Sequence, residues 1–100
     1  MSTNNELGSI LEETVGPLTF AMFVRVARTT LEISQAEMAR KLKIARGTLC
    51  DIEKGRQAVS PKFALKIART AGLSEDLTLT VCLQDQLNRL KIKKRVVLVA

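Results

Sequence analysis

Residues 33–61 read ISQAEMARKLKIARGTLCDIEKGRQAVSP, and the fold follows from how that stretch is punctuated. Ser34-Gln35-Ala36-Glu37 is a helix start: the Ser34 hydroxyl can accept from the amide three residues on, while Glu37 reaches back to the cap amide. The spacing predicts a helix to about Leu42, packing through Ala36, Met38, Ala39 and Leu42. Lys43-Ile44 leaves room only for a short turn. The next helix, near 45–53, has Leu49 and Ile52 as inward anchors, and Gly55 stands just beyond its end, where a C-capping residue belongs. Ser60-Pro61 then opens another helix with a cap and a first-turn proline.

The flanks continue the helical pattern. Ala64, Leu65, Ile67 and Ala68 supply the buried side of the helix opened by Ser60, and Gly72 ends it. Upstream, Thr19 caps a helix through about Leu31, with Phe20, Phe23, Val24, Ala27 and Leu31 as its apolar stripe. A shorter helix over 6–14, carrying Leu7, Ile10 and Leu11, is stopped by Gly16-Pro17. Downstream, Ser74-Glu75-Asp76 starts a helix with acidic groups near the positive end of its dipole. Leu79, Leu83, Leu87 and Leu90 recur at helical intervals, which favours a helix over about 75–90. A strand over 77–81 competes, because Leu77-Thr78-Leu79-Thr80-Val81 also alternates. The tail Lys91-Ile92-Lys93-Lys94-Arg95 is basic, and Val96, Val97, Leu98 and Val99 form an apolar run. A strand is expected over 95–99. A lone strand needs a partner for its backbone, and a second copy of the chain is the economical one.

Composition narrows the class of function. The chain has 100 residues, one domain's worth, and Phe20, Phe23 and Phe63 are its only aromatics; the core must be aliphatic, which suits a helical bundle. Net charge is +6, from 16 basic and 10 acidic groups. Residues 25–69 hold eleven of the basic groups against four acidic ones, whereas residues 1–24 are purely acidic. A basic middle favours an anionic partner, DNA being the commonest. With no His and only Cys50 and Cys82, neither a zinc site nor a disulfide scaffold is expected. No cofactor is implied, and no nucleophile–base pair or phosphate-cradling glycine loop supports catalysis. The absence of a signal-peptide pattern or a long apolar segment gives the expectation of a cytoplasmic protein without a membrane anchor.

Two strings, FVRVARTTLE over 23–32 and the 33–61 stretch quoted above, carry a resemblance to the Cro/C1-type helix-turn-helix proteins, also called the XRE type, which are encoded by bacteria and phages. The resemblance covers Leu18 to about Gly72. It implies an all-α fold, a compact lambda-repressor-like bundle of four or five helices, here with the C-terminal strand added for dimerisation. The chain then divides into an extension over 1–17, a DNA-binding domain over 18–73 and a dimerisation segment over 74–100. It implies a homodimer on a palindromic double-stranded operator, one helix in the major groove and the other crossing the backbone.

Carried onto this sequence, the resemblance makes Arg46, Gly47, Thr48, Cys50 and Asp51 the base-facing set. Arg46 has the clearest chemistry, because a guanidinium bonds bidentately to guanine. Thr48 can serve a phosphate or a thymine methyl. Asp51 can accept from cytosine or orient Arg46 or another basic side chain. Gln35, Lys54, Arg56, Gln57 and Lys62 are the implied phosphate contacts. Arg28 and Glu53 match an internal ion pair, Ala39 the small residue where the two motif helices cross, and Ile44 the apolar turn residue. Three positions depart from the family pattern: Ala45 cannot cap the recognition helix with its side chain, Gly47 weakens that helix, and Lys43 replaces a turn glycine. A segment like GLSEDL…LQDQLNRL occurs in some XRE-like proteins before a terminal strand, which suggests dimerisation through Leu79, Leu83, Leu87, Leu90 and Val96–Val99. The alternative is that the leucines pack within their own monomer. XRE-like proteins also include antitoxins, so the tail has a second possible use in holding a protein partner such as a toxin.

Overall fold

The structure, a computed structural model, describes residues 19–99; the helix expected over 6–14 lies outside them. Among the described residues there are five helices: α1 Phe20–Thr30, α2 Gln35–Leu42, α3 Arg46–Glu53, α4 Pro61–Ala71 and α5 Glu75–Arg89. Four of them start on hydroxyl caps, Thr19, Ser34, Ser60 and Ser74, each accepting from the amide three residues on. This satisfies one of the amides that the first turn leaves unpaired. α3 is the exception, because Ala45 makes no side-chain cap bond.

The helix ends are less conventional. Gly72 closes α4 with φ 68°, but α1, α2 and α5 end on Glu32, Lys43 and Lys91, all non-glycine residues near φ +60°. After each, the chain turns back with one long and one short hydrogen bond. For α2 these are Ile44 N to Ala39 O at 3.0 Å and Lys43 N to Arg40 O at 3.1 Å, the Schellman pattern. Geometry that favours glycine is therefore imposed on charged side chains three times. The Lys66 ammonium adds a cap at the α2 end, donating to Leu42 O at 2.8 Å.

Met38, Ala39 and Leu42 from α2 meet Leu49 and Ile52 from α3, Val24 from α1 and Ala64 and Ile67 from α4 in one core. α5 packs mainly on α4 and also on α1. Some expected packing residues fall elsewhere. Leu31 sits past the end of α1 and is exposed, Ala36 faces solvent on the first turn of α2, and Leu65 is only half-buried. The Glu37 carboxylate does not return to the Ser34 amide; it lies 3.9 Å from Lys41, one turn on.

The segment 77–81 is helical, within α5. The inner face of α5 is not its leucine stripe but Thr78, Val81, Cys82 and Asp85; Leu79, Leu83 and Leu87 are half-buried and Leu90 is 70% exposed. The strand expected over 95–99 is absent: among the described residues no strand forms. A single extended segment has no ladder of its own, and here a side chain takes its place. The Gln84 amide donates to Lys94 O at 2.8 Å and accepts from Val96 N at 2.7 Å, pinning the tail back along α5. Val97 and Val99 remain exposed.

Candidate nucleic-acid interface

α3 is held by its inner side and free on its outer one. Leu49, Ile52 and Glu53 are buried. Arg46, Cys50 and Lys54 follow one another at helical spacing, with Gly47 and Asp51 beside them, and so share the outward face. Arg46, Gly47 and Lys54 are exposed, while Cys50 and Asp51 are half-buried. Thr48, half-buried, lies at the edge of this face, where it lines a groove with Ile44, Ile52, Gln57, Val59, Ser60 and Phe63. Gly47 has a helical backbone, and a Cβ built there would meet nothing within 4 Å, so neither conformation nor crowding requires glycine.

A polar cluster fixes α3 against α1 and α2. The Arg28 guanidinium grips the Glu53 carboxylate with both edges, Nε to Oε2 at 2.7 Å and Nη2 to Oε1 at 3.1 Å. Its third nitrogen donates to Ile33 O at 2.9 Å, in the α1–α2 connection. The Gln35 amide adds a bond to Glu53 Oε1 at 3.2 Å. Glu53 is 3% exposed, and three donors surround it. The hydrogen bond that Arg28 donates to Glu53 raises the guanidinium's pKa above its ordinary value; burial opposes this and the carboxylate's charge adds to it. Gln35 is thus committed on one side to the protein interior, and its NH₂ group keeps a second hydrogen.

Around α3 the charge is mostly uncommitted. Arg28, Arg56, Arg69 and Arg89 each lie within ion-pair distance of a carboxylate; Arg46 does not, among the described residues. Asp51 is 3.8 Å from Arg56, so its carboxylate offsets a neighbouring cation beside the outward face. Lys54, Arg56, Gln57 and Lys62 are all exposed, on the connection from α3 to α4 and the first turn of α4.

Two features were missed by the sequence reading. Residues Cys82, Gln86 and Arg89 of α5 hold the backbone of the α3–α4 connection through Val59 O and Gly55 O; only the four-residue spacing of Asp85 and Arg89, an ion pair at 3.1 Å, could have hinted at it. Lys66, which closes α2 from α4, gave no sequence signal beyond its charge. Burial pushes the Cys82 thiol up, with Asp85 acting the same way and the hydrogen bond to Gln86 opposing.

Among the described residues no cluster of His, Cys, Asp and Glu could hold a metal ion, and no helix is long and apolar enough to cross a membrane. No curated protein and no solved structure shows significant similarity to the chain. A helix-turn-helix family model does match, over residues 24–77, which spans α1 to the start of α5 and includes both motif helices. Because the match covers more than half of the chain and takes in both motif helices with the Arg28–Glu53 clasp that ties α3 to α1, the chain belongs to the Cro/C1-type (XRE) helix-turn-helix family of DNA-binding regulators.

Proposed function

We propose that the protein is a dimeric, sequence-specific regulator that represses transcription by occupying a palindromic operator with α3 in the major groove. The observation that carries this reading is the exposed Arg46 on the outward face of α3, which has no carboxylate partner among the described residues and can bond guanine O6 and N7. Gly47, Cys50 and Asp51 complete the base-facing surface, and Thr48 serves a phosphate or a methyl group at its edge. Lys54, Arg56, Gln57 and Lys62, with the second amide hydrogen of Gln35, grip the flanking phosphates. The C-terminal segment, through Leu79, Leu83, Leu87, Leu90 and Val96–Val99, joins two copies and sets their α3 helices about one DNA turn apart. Such a protein works in the cytoplasm, beside the DNA.

Enrichment of random duplexes on the purified protein tests the reading. The expected product is a palindrome, and Arg46→Ala should relax one position in each half-site at a cost of about 1–3 kcal/mol. Lys54→Ala or Lys62→Ala should instead weaken all duplexes alike and reduce the salt dependence by about one phosphate. A second reading draws on a different observation, the exposed Leu90, Val97 and Val99, together with an uncapped, glycine-containing α3. In it the protein is an antitoxin or adaptor whose C-terminal segment binds a partner protein. Negligible duplex binding at low salt would favour that role and sink the repressor.

A further inference from the structure

We propose that Gln86 and Arg89 of α5 are positioning residues for the DNA-facing loop: they fix the backbone that carries Arg56 and Gln57, and so set the grip on phosphate without touching DNA. The inference rests on the duplex-binding reading above.

The loop between α3 and α4 has little structure of its own. Its first part is held by α3, through Gly55 N to Ile52 O at 3.1 Å and Arg56 N to Asp51 O at 2.8 Å. Beyond Arg56, among the described residues, the amides of Gln57, Ala58 and Val59 make no backbone–backbone hydrogen bond until α4 begins. Arg56, Gln57 and Ala58 are exposed. A segment so short of internal bonds samples many conformations unless something outside it intervenes.

α5 intervenes at both ends. Arg89 Nη1 donates to Gly55 O at 3.1 Å, while its Nε is held by Asp85 Oδ2 at 3.1 Å. Asp85 is 6% exposed, so the carboxylate orients the guanidinium from within the fold. Four residues along the chain, Gln86 Nε2 donates to Val59 O at 2.8 Å, and Cys82 Sγ adds a longer contact to the same oxygen at 3.4 Å. The three solvent-facing residues 56–58 are therefore suspended between two carbonyls clamped by one rigid helix. Gly55 permits the arrangement through its backbone, which turns at φ +74°, a left-handed conformation that suits glycine.

Fixing the loop before DNA arrives removes an ordering cost from binding. Loss of the clamp should therefore appear as weaker phosphate contact, even though no charge near the DNA has changed. Two substitutions isolate this effect. Gln86→Met removes the amide at nearly constant volume and no change of charge. Arg89→Lys keeps the charge but cannot span Asp85 and Gly55 O with a planar fork.

The test compares the full chain with these variants, singly and combined, for binding a mixed-sequence duplex across a salt series, with amide exchange read in parallel. The double variant should bind about tenfold more weakly at low salt, with a salt slope shallower by about one phosphate. Exchange should quicken at Gly55 and Arg56, whose amides are bonded to Ile52 O and Asp51 O, while Met38, Leu49 and Ile67 in the core stay protected. Unchanged affinity and slope in the variants, beside a wild-type chain that binds, would overturn the positioning role alone. So would a loss of core protection equal to that of the loop, since it would make both residues props of the whole fold. Failure of Gln86→Met to act, with Arg89→Lys weakened and the loop's exchange unchanged, would identify Arg89 as a direct phosphate contact instead. If the wild-type chain binds no duplex, the DNA reading itself falls, and the positioning role with it.

Discussion

Glu53 is the residue on which the presentation of α3 depends most directly. Its carboxylate is almost without solvent and is neutralised by Arg28, with Gln35 alongside. Arg28→Ala would leave that charge buried and unpaired, so it should cost about 3–5 kcal/mol in urea unfolding. Arg28→Lys should recover only part, because a single ammonium cannot reproduce two parallel bonds. On the other side of α3 the sequence is weaker than the fold allows. Ala45 supplies no cap, and Gly47 sits in open helix with space for a methyl group. Ala45→Ser and Gly47→Ala should each raise stability by about 1 kcal/mol, seen as a higher denaturant midpoint at unchanged slope. Measured beside duplex affinity, Gly47→Ala also decides what the glycine is for. A more stable protein that binds a specific duplex less well would mean that DNA backbone or bases approach α3 too closely for a Cβ.

The helices show which signals are local and which are not. Ser34, Ser60, Ser74 and Thr19 were legible as caps because a cap is complete within four residues, and Gly72 was legible as a stop for the same reason. Lys43 was readable as a departure from glycine, and it does adopt the left-handed conformation, at φ 59°. Lys43→Gly should relieve that strain, which outweighs the added freedom of the unfolded chain, for a net gain of about 0.5–1 kcal/mol; thermal unfolding of the two proteins checks it. Leu79, Leu83, Leu87 and Leu90 correctly announced a helix, yet the side of α5 that enters the bundle is Thr78, Val81, Cys82 and Asp85. Helical spacing fixes which residues share a face, and contacts with other elements decide which face turns inward. Thr78 can be fully buried because its hydroxyl bonds back to Ser74 O at 2.7 Å. The clamp on Gly55 O and Val59 O joins residues 27 and 34 positions apart, a separation at which composition and periodicity carry no information. The strand over 95–99 failed for a related reason: an apolar run says that a segment wants cover, not which backbone will pair with it.

The bundle divides its labour between two faces of one helix. The inner side of α5 holds the core and the loop beside α3, while its outer side leaves Leu79, Leu83 and Leu87 half-buried and Leu90 exposed, and the tail adds exposed Val97 and Val99. An isolated chain with that much apolar surface on one segment gains by covering it, at about 25 cal/mol for each Å² removed from water. In the proposed dimer, a second copy related by a twofold axis would cover it with the same residues and satisfy the unpaired backbone of the tail. The tail would then exchange the Gln84 side chain, which stands in for a ladder, for a neighbouring strand. Leu83→Asp combined with Leu87→Asp should therefore shift the protein from dimer to monomer in sedimentation equilibrium, with helical content retained because neither residue belongs to the buried face of α5. Affinity for a full palindrome should fall to that for an isolated half-site, a loss of roughly 10²–10⁴, since the second half-site would no longer be reached within one complex. Half-site affinity itself should hold, because the bonds of Gln86 and Arg89 to the loop involve neither leucine. A monomer that still bound the palindrome as tightly as the dimer would place the partner surface elsewhere.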